Sequence, residues 1–148
     1  MKSHRPPDYS IGRYFVSPLL ACSARCAFCY IFPEGYIGSP RVNEFGYQES
    51  VEWIRRHSNF HQGRAGSIIS IGAWGDPFPR ASPSLHATSI EWLRAMCSLG
   101  NPVQIMSRFA LSDSSINEIC SCEQYRNQIL YSTSVSTLSV WNELEIGS

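Results

Sequence analysis

The chain has 148 residues, 43% hydrophobic and 16% charged, which suits one compact core and excludes a mainly disordered or low-complexity protein. Twelve basic side chains balance twelve acidic ones, so charge gives no support to a nucleic-acid partner held by its phosphate backbone. No apolar run has the length of a membrane span or of a secretory core, so no membrane partner is expected; in the cytoplasmic setting this implies, six cysteines are ligands, redox groups or apolar fillers before they are disulfides.

Short apolar runs alternate with longer amphipathic ones. Tyr14, Phe15 and Val16 form the first predicted strand, and Gln48 to Ser58 the first helix, with Val51 and Ile54 inward and Arg55 and Arg56 outward. Ile68, Ile69 and Ile71 form the second strand. A helix follows, opened by Ser82 and Pro83 and stopped by Gly100 and Pro102, with Ile90, Trp92, Leu93, Met96, Cys97 and Leu99 as its apolar stripe. Val103, Ile105 and Met106 make the third strand. A third helix runs from Ser112 to about Tyr125, capped by Ser112 or Asp113 and buried through Ile116, Ile119 and Cys120. Ile129, Leu130, Tyr131 and Val135 make the fourth strand, and a further helix begins at Trp141 to Ile146. This order predicts an α/β fold with a parallel sheet. The segment 30–47, rich in Gly and Pro, is an irregular loop of a length that usually serves function.

The chemistry is concentrated directly after the first strand, where Cys22, Cys26 and Cys29 stand as CxxxCxxC. Thiolates select iron–sulfur clusters or zinc. Three of them leave one iron of a four-iron cubane open to a small molecule, whereas a structural zinc wants four closed ligands, here with His57 or His61 as the fourth. Both readings stay open on spacing alone. Cys97, Cys120 and Cys122 read as apolar fillers, the first two on helix stripes.

With Phe28 just before the last cysteine of the motif and Tyr30 just after it, the motif resembles that of the radical S-adenosylmethionine (SAM) superfamily. The segments SIISIGAWGDPFP, GNPVQIMSRFAL and ILYSTSVSTL resemble, in order and spacing, the spore photoproduct lyase-like branch, often labelled DNA repair photolyase. The resemblance runs from about Tyr14 to the C-terminus. It implies a 4Fe-4S cluster on Cys22, Cys26 and Cys29, whose open iron chelates SAM, with Phe28 and Tyr30 beside the cofactor. Gly72, Ala73, Trp74, Gly75 and Asp76 match the segment bordering the methionine end of SAM, and Ser134 and Ser136, with Thr137, the region contacting its ribose or carboxylate. Small residues would let the backbone approach the ligand, and Asp76 either accepts from the SAM ammonium or holds a plain turn. The implied activity is that of an enzyme: reductive cleavage of SAM to a 5′-deoxyadenosyl radical that abstracts hydrogen from an unknown substrate, with an electron from a flavodoxin- or ferredoxin-type partner.

Two departures separate this chain from spore photoproduct lyase proper. GAWGDPFP lacks the cysteine that donates hydrogen to a repaired thymine, and Ser107, Arg108 and Phe109 stand where relatives often carry a lysine. Arg108 either pairs with an anionic substrate group or is a solvated arginine at a helix start. Length adds a third point: about four βα units are present, against about six in a partial (β/α)6 TIM-like barrel. Residues 1–148 therefore read as the N-terminal portion of a radical SAM core, from a longer protein or a truncated gene product. A non-enzymatic zinc-binding module and a catalytically inactive fragment are the alternatives.

Overall fold

The computed structural model of the chain describes residues 3–26, 28–134 and 145–146. Five strands form one sheet: β1 (Asp8–Ser10), β2 (Arg13–Val16), β6 (Ile68–Ile71), β7 (Val103–Ser107) and β8 (Ile129–Thr133), in that spatial order. The last four are parallel and follow chain order, each beside its predecessor, and they coincide with the four predicted strands. β1 is antiparallel to β2, joined through a tight turn in which Ile11 and Gly12 both have positive φ. It covers the free edge of β2, while β8 pairs only with β7 among the described residues. Two two-residue ladders lie outside this sheet. β3 (Leu19–Leu20) pairs with β5 (Arg41–Val42), and β4 (Arg25–Cys26) with β9 (Glu145–Ile146).

All three helices serve one face of the sheet. α1 (Tyr47–Arg56) sends Val51 and Ile54 inward, and α2 (His86–Cys97) sends Ile90, Leu93, Met96 and Cys97. These meet Tyr14, Val16, Ile69, Ile71, Val103 and Ile105, the alternate positions of β2, β6 and β7, in one continuous core. Each such aliphatic side chain taken out of water contributes roughly 1.5–3 kcal/mol before chain entropy is counted. The opposite face carries Arg13, Phe15, Ile68, Ser70, Gln104, Met106, Leu130 and Ser132, and none of these joins the core.

Local chemistry explains where the helices depart from expectation. Ser82 and Pro83 open a 3-10 turn, Pro83–Leu85, that leads into α2. α3 covers only Asp113–Cys120, followed by a 3-10 turn at Glu123–Tyr125; Ser112 is its cap, accepting from the Ser115 N–H at 3.2 Å. Of its predicted stripe, Ile119 packs against the main core, but the other two residues do not. Ile116 and Cys120 are exposed, whereas Ser115 and Cys122 are buried and Ile119 is half-buried. The rotation follows from a polar contact: Ser115 Oγ sits 3.0 Å from His86 Nδ1 on α2, which turns Ser115 inward and Ile116 out. Glu145 and Ile146, expected in a helix, form strand β9 instead; Val135, Ser136, Thr137 and Trp141 lie outside the described residues.

Candidate functional site

The first parallel strand ends at Val16, and the chain then passes through β3 into a non-glycine residue of left-handed conformation, Ala21 at φ 70°. Such a backbone costs an L-residue about 1–2 kcal/mol and persists only where its surroundings enforce it. Here the Ala21 N–H donates to Trp74 O at 2.9 Å, and Cys22 bridges to Ile37, its carbonyl accepting from Gly38 N–H at 3.3 Å. The kink therefore wedges the start of the cysteine loop between the Gly72–Asp76 turn and the loop that returns towards α1. Beyond it, the Cys29 N–H donates to Cys26 O at 3.1 Å and the Phe32 N–H to Cys29 O at 3.4 Å, a succession of turns that curls the motif.

These segments enclose a cavity of about 200 Å³ at the C-terminal end of the parallel strands. Cys22, Cys26, Cys29, Phe28 and Tyr30 line it from the cysteine loop, Gly72, Ala73, Gly75 and Asp76 from the turn after β6, and Ser134 from the end of β8. Ten of the thirteen residues matched to the cluster and its cofactor in the sequence thus line one site. Ser136 and Thr137 lie outside the described residues, and Trp74 is not a lining residue. Its indole turns the other way: Nε1 donates to Asp8 Oδ2 at 2.6 Å, and the Arg5 guanidinium lies 3.4 Å over the ring. Tyr30 and Tyr36 pack edge-on or tilted against it, and the Tyr30 hydroxyl donates to Ala73 O. Trp74 is the clamp behind the turn.

The two glycines have a packing reason for being glycine. A Cβ on Gly72 would stand 2.4 Å from Met106 O, and one on Gly75 2.6 Å from Leu19 O, so backbone meets backbone there. Asp76 is likewise engaged. Its Oδ1 accepts from Phe78 N–H and Ser107 Oγ, each at 2.8 Å, and its Oδ2 from Arg108 N–H, which ties the turn to the end of β7. Burial raises its pKa against the lowering effect of these donors.

Burial also pushes the Cys22 thiol up to about 11, while the backbone N–H groups of Ala24 and Asp76 face its sulfur and favour the thiolate. Cys22 and Cys26 are buried and Cys29 half-buried, packed with Leu20, Ala24, Ile31, Tyr36 and Phe109 in a second apolar cluster. Among the described residues no three His, Cys, Asp or Glu side chains are arranged around a single metal ion. Neither histidine named as a fourth zinc ligand lines the cavity: His57 Nδ1 is 2.9 Å from the Tyr14 hydroxyl and its ring stacks on Trp53, while His61 is exposed.

Arg108 is the cavity residue whose role the sequence left open. It is half-buried, its guanidinium lies 5.2 Å from the Phe28 ring, and Nη1 donates to Ser134 O at 2.6 Å, so it links the cysteine loop to β8. Its sequence signal was its place just after the third strand, where proteins of the spore photoproduct lyase-like branch often carry a lysine. Cys97 is buried as expected, with its thiol pushed up to about 12 by desolvation and then by neighbouring Cys122. No described helix is long and apolar enough to cross a membrane. Compared with protein-family models, curated proteins and solved structures, the chain has no significant match.

Proposed function

We propose that this chain is a radical SAM iron–sulfur enzyme of the spore photoproduct lyase-like type, its sheet being the first four strands of a partial (β/α)6 barrel. One observation carries the reading: the three motif cysteines share a cavity with the Gly72–Asp76 turn and Ser134, all at the C-terminal end of neighbouring parallel strands. Sites in βα barrels are built at that end.

The donor set fits a four-iron cluster. Three thiols stand in apolar surroundings, and Asp76, the only carboxylate lining the cavity among the described residues, already accepts three hydrogen bonds. Sulfurs bound to three corners of a cubane need not converge on one point, as they must around zinc. Cys22, Cys26 and Cys29 would hold the group, which when bound supplies the electron for reductive cleavage of SAM. The chain's own residues then have separate tasks. Phe28 and Tyr30 offer aromatic surface at the cavity mouth, and Asp76 fastens the turn to β7. Trp74, held by Asp8 and Arg5, keeps that turn in place from behind. The reading entails a one-electron reductant of flavodoxin or ferredoxin type and a cytoplasmic location.

Anaerobic reconstitution with iron and sulfide tests it. The expected product binds about four irons per chain with the broad visible absorption of a cubane, and yields 5′-deoxyadenosine from SAM under dithionite. Joint replacement of Cys22, Cys26 and Cys29 by alanine should abolish iron binding. Zinc as the bound metal, or iron content unchanged by the triple replacement, overturns the reading; a loaded cluster with no SAM cleavage makes the chain an inactive fragment.

A further inference from the structure

The face of the sheet turned away from the helices is mixed: Phe15, Ile68, Met106 and the exposed Leu130 share it with Arg13, Ser70, Gln104 and Ser132. Parallel strands covered on both sides are near-continuous runs of Val, Ile and Leu, and small barrel interiors are filled by the same residues. Here that face carries a polar ladder across β2, β6, β7 and β8. Arg13 Nη1 donates to Gln104 Oε1 at 2.8 Å, Ser70 Oγ donates to the same oxygen at 3.3 Å, and Gln104 Nε2 donates to Ser132 Oγ at 2.9 Å.

A count of donors and acceptors gives the ladder a sign. The two bonds to Oε1 use both lone pairs of the Gln104 carbonyl, and one of its two N–H groups is spent on Ser132. The second Gln104 N–H, the Ser132 hydroxyl hydrogen and the other N–H groups of Arg13 remain as donors; the acceptors left are lone pairs on the Ser70 and Ser132 hydroxyls, so donors predominate and Arg13 adds a positive charge. The ion pairs among the described residues belong to Arg5, Arg55 and Arg56, so no described carboxylate neutralises Arg13. Arg13, Gln104 and Ser132 are each half-buried, within reach of a ligand yet partly shielded from water, as are Phe15 and Met106 on the same face. A guanidinium and neighbouring donors in such a setting match the oxygens of an anion.

We propose that Arg13, Gln104 and Ser132 form an oxyanion site on the face of the sheet turned away from the helices, for a carboxylate or phosphate carried by a small molecule. Ser132 is in register with Met106, which lines the cysteine cavity. Gln104 lies two residues nearer the strand's N-terminal end, about 7 Å at the usual rise per residue. A molecule anchored there by its anionic group extends towards the cavity. That this molecule is the substrate of radical chemistry rests on the function proposed above; the anion site itself does not.

The test uses the 148-residue chain without reconstitution. Inorganic phosphate and acetate are titrated separately while the ¹H–¹⁵N signals of the Gln104 side-chain amide and the Arg13 guanidinium are followed. Saturable shifts of both signals are expected with at least one anion, and the tighter of the two identifies phosphate or carboxylate as the natural group. Arg13→Gln should weaken binding at least tenfold and Arg13→Lys less, while Arg80→Gln, at an exposed arginine, should leave it unchanged. Absence of saturation with both anions overturns the site, as does wild-type binding by folded Arg13→Gln. Should Arg13→Gln fail to fold, the wild-type signals decide, and shifts confined to other arginines overturn it. Because neither cluster nor SAM enters the measurement, its failure leaves the cluster reading standing, and loss of the cluster reading leaves the anion site standing.

Discussion

Between the sheet and its helices, Tyr14, Ile69, Ile105, Ile90 and Trp92 are buried because alternation on strands and helical spacing bring them to one side. Around the cysteines, Leu20, Ala24, Ile31, Tyr36 and Phe109 come from loops with no such period, and meet because backbone hydrogen bonds and a few side chains fold those loops together. The first cluster is stabilised by area and shape, so its losses scale with volume removed. The second hangs on individual contacts, among them the Ala21 kink, the three donors on Asp76 and the Trp74 clamp. A fold that concentrates its area in one cluster can tolerate strain in the other, which is where a cofactor loop belongs.

The sharpest test of that division is a core deletion. Trp92 is 2% exposed on α2, and Trp92→Ala should cost about 3–5 kcal/mol, from lost burial and the cavity left behind. In urea denaturation the midpoint should fall without a change in slope. A loss under 1 kcal/mol would mean that the helix layer does not carry the stability.

Next in size is Asp76→Asn, which changes no volume. The amide keeps one oxygen for Phe78 N–H and Ser107 Oγ, but turns an N–H₂ group towards the Arg108 N–H, donor against donor. The expected cost is about 1–3 kcal/mol, that of a buried donor left unsatisfied. Hydrogen exchange should speed up at the Arg108 amide more than at Ile69 or Ile105 in the sheet. Equal acceleration everywhere would show that the turn and the main core unfold as one.

Much of the main core was legible in the sequence, and for a definite reason. The four parallel strands are rich in β-branched and aromatic residues, each bounded on at least one side by Gly, Pro or Ser, and α2 shows its stripe plainly. The site was legible as a set of residues because three cysteines in eight positions must lie near one another; their neighbours across the cavity came from the order of strand ends. What stayed hidden depends on contacts between distant segments. β1 is joined to β2 through Ile11, 97% exposed at φ 44°, and isoleucine is among the last residues expected in such a turn. Trp74, matched by sequence to the cofactor segment, has its indole held by Asp8, 66 positions earlier in the chain.

The smallest expected effect probes α3, where periodicity placed Ile119 correctly but Ile116 and Cys120 not. Ile116 was expected in the core, yet it is 41% exposed while Ser115 is 3% exposed beside His86. Ile116→Ala should therefore change stability by no more than about 0.5 kcal/mol, as at ordinary surface positions, since alanine's better helix propensity offsets the small area lost. Ser115→Ala should cost more, about 1 kcal/mol, because it removes the partner of His86 Nδ1 in a buried setting. The order of the two effects is the informative quantity. If Ile116→Ala proves the more damaging, α3 packs through its aliphatic stripe after all. If Ser115→Ala does, a short helix has been oriented by a hydrogen bond against its own hydrophobic pattern, as a helix of eight residues with few apolar positions can be.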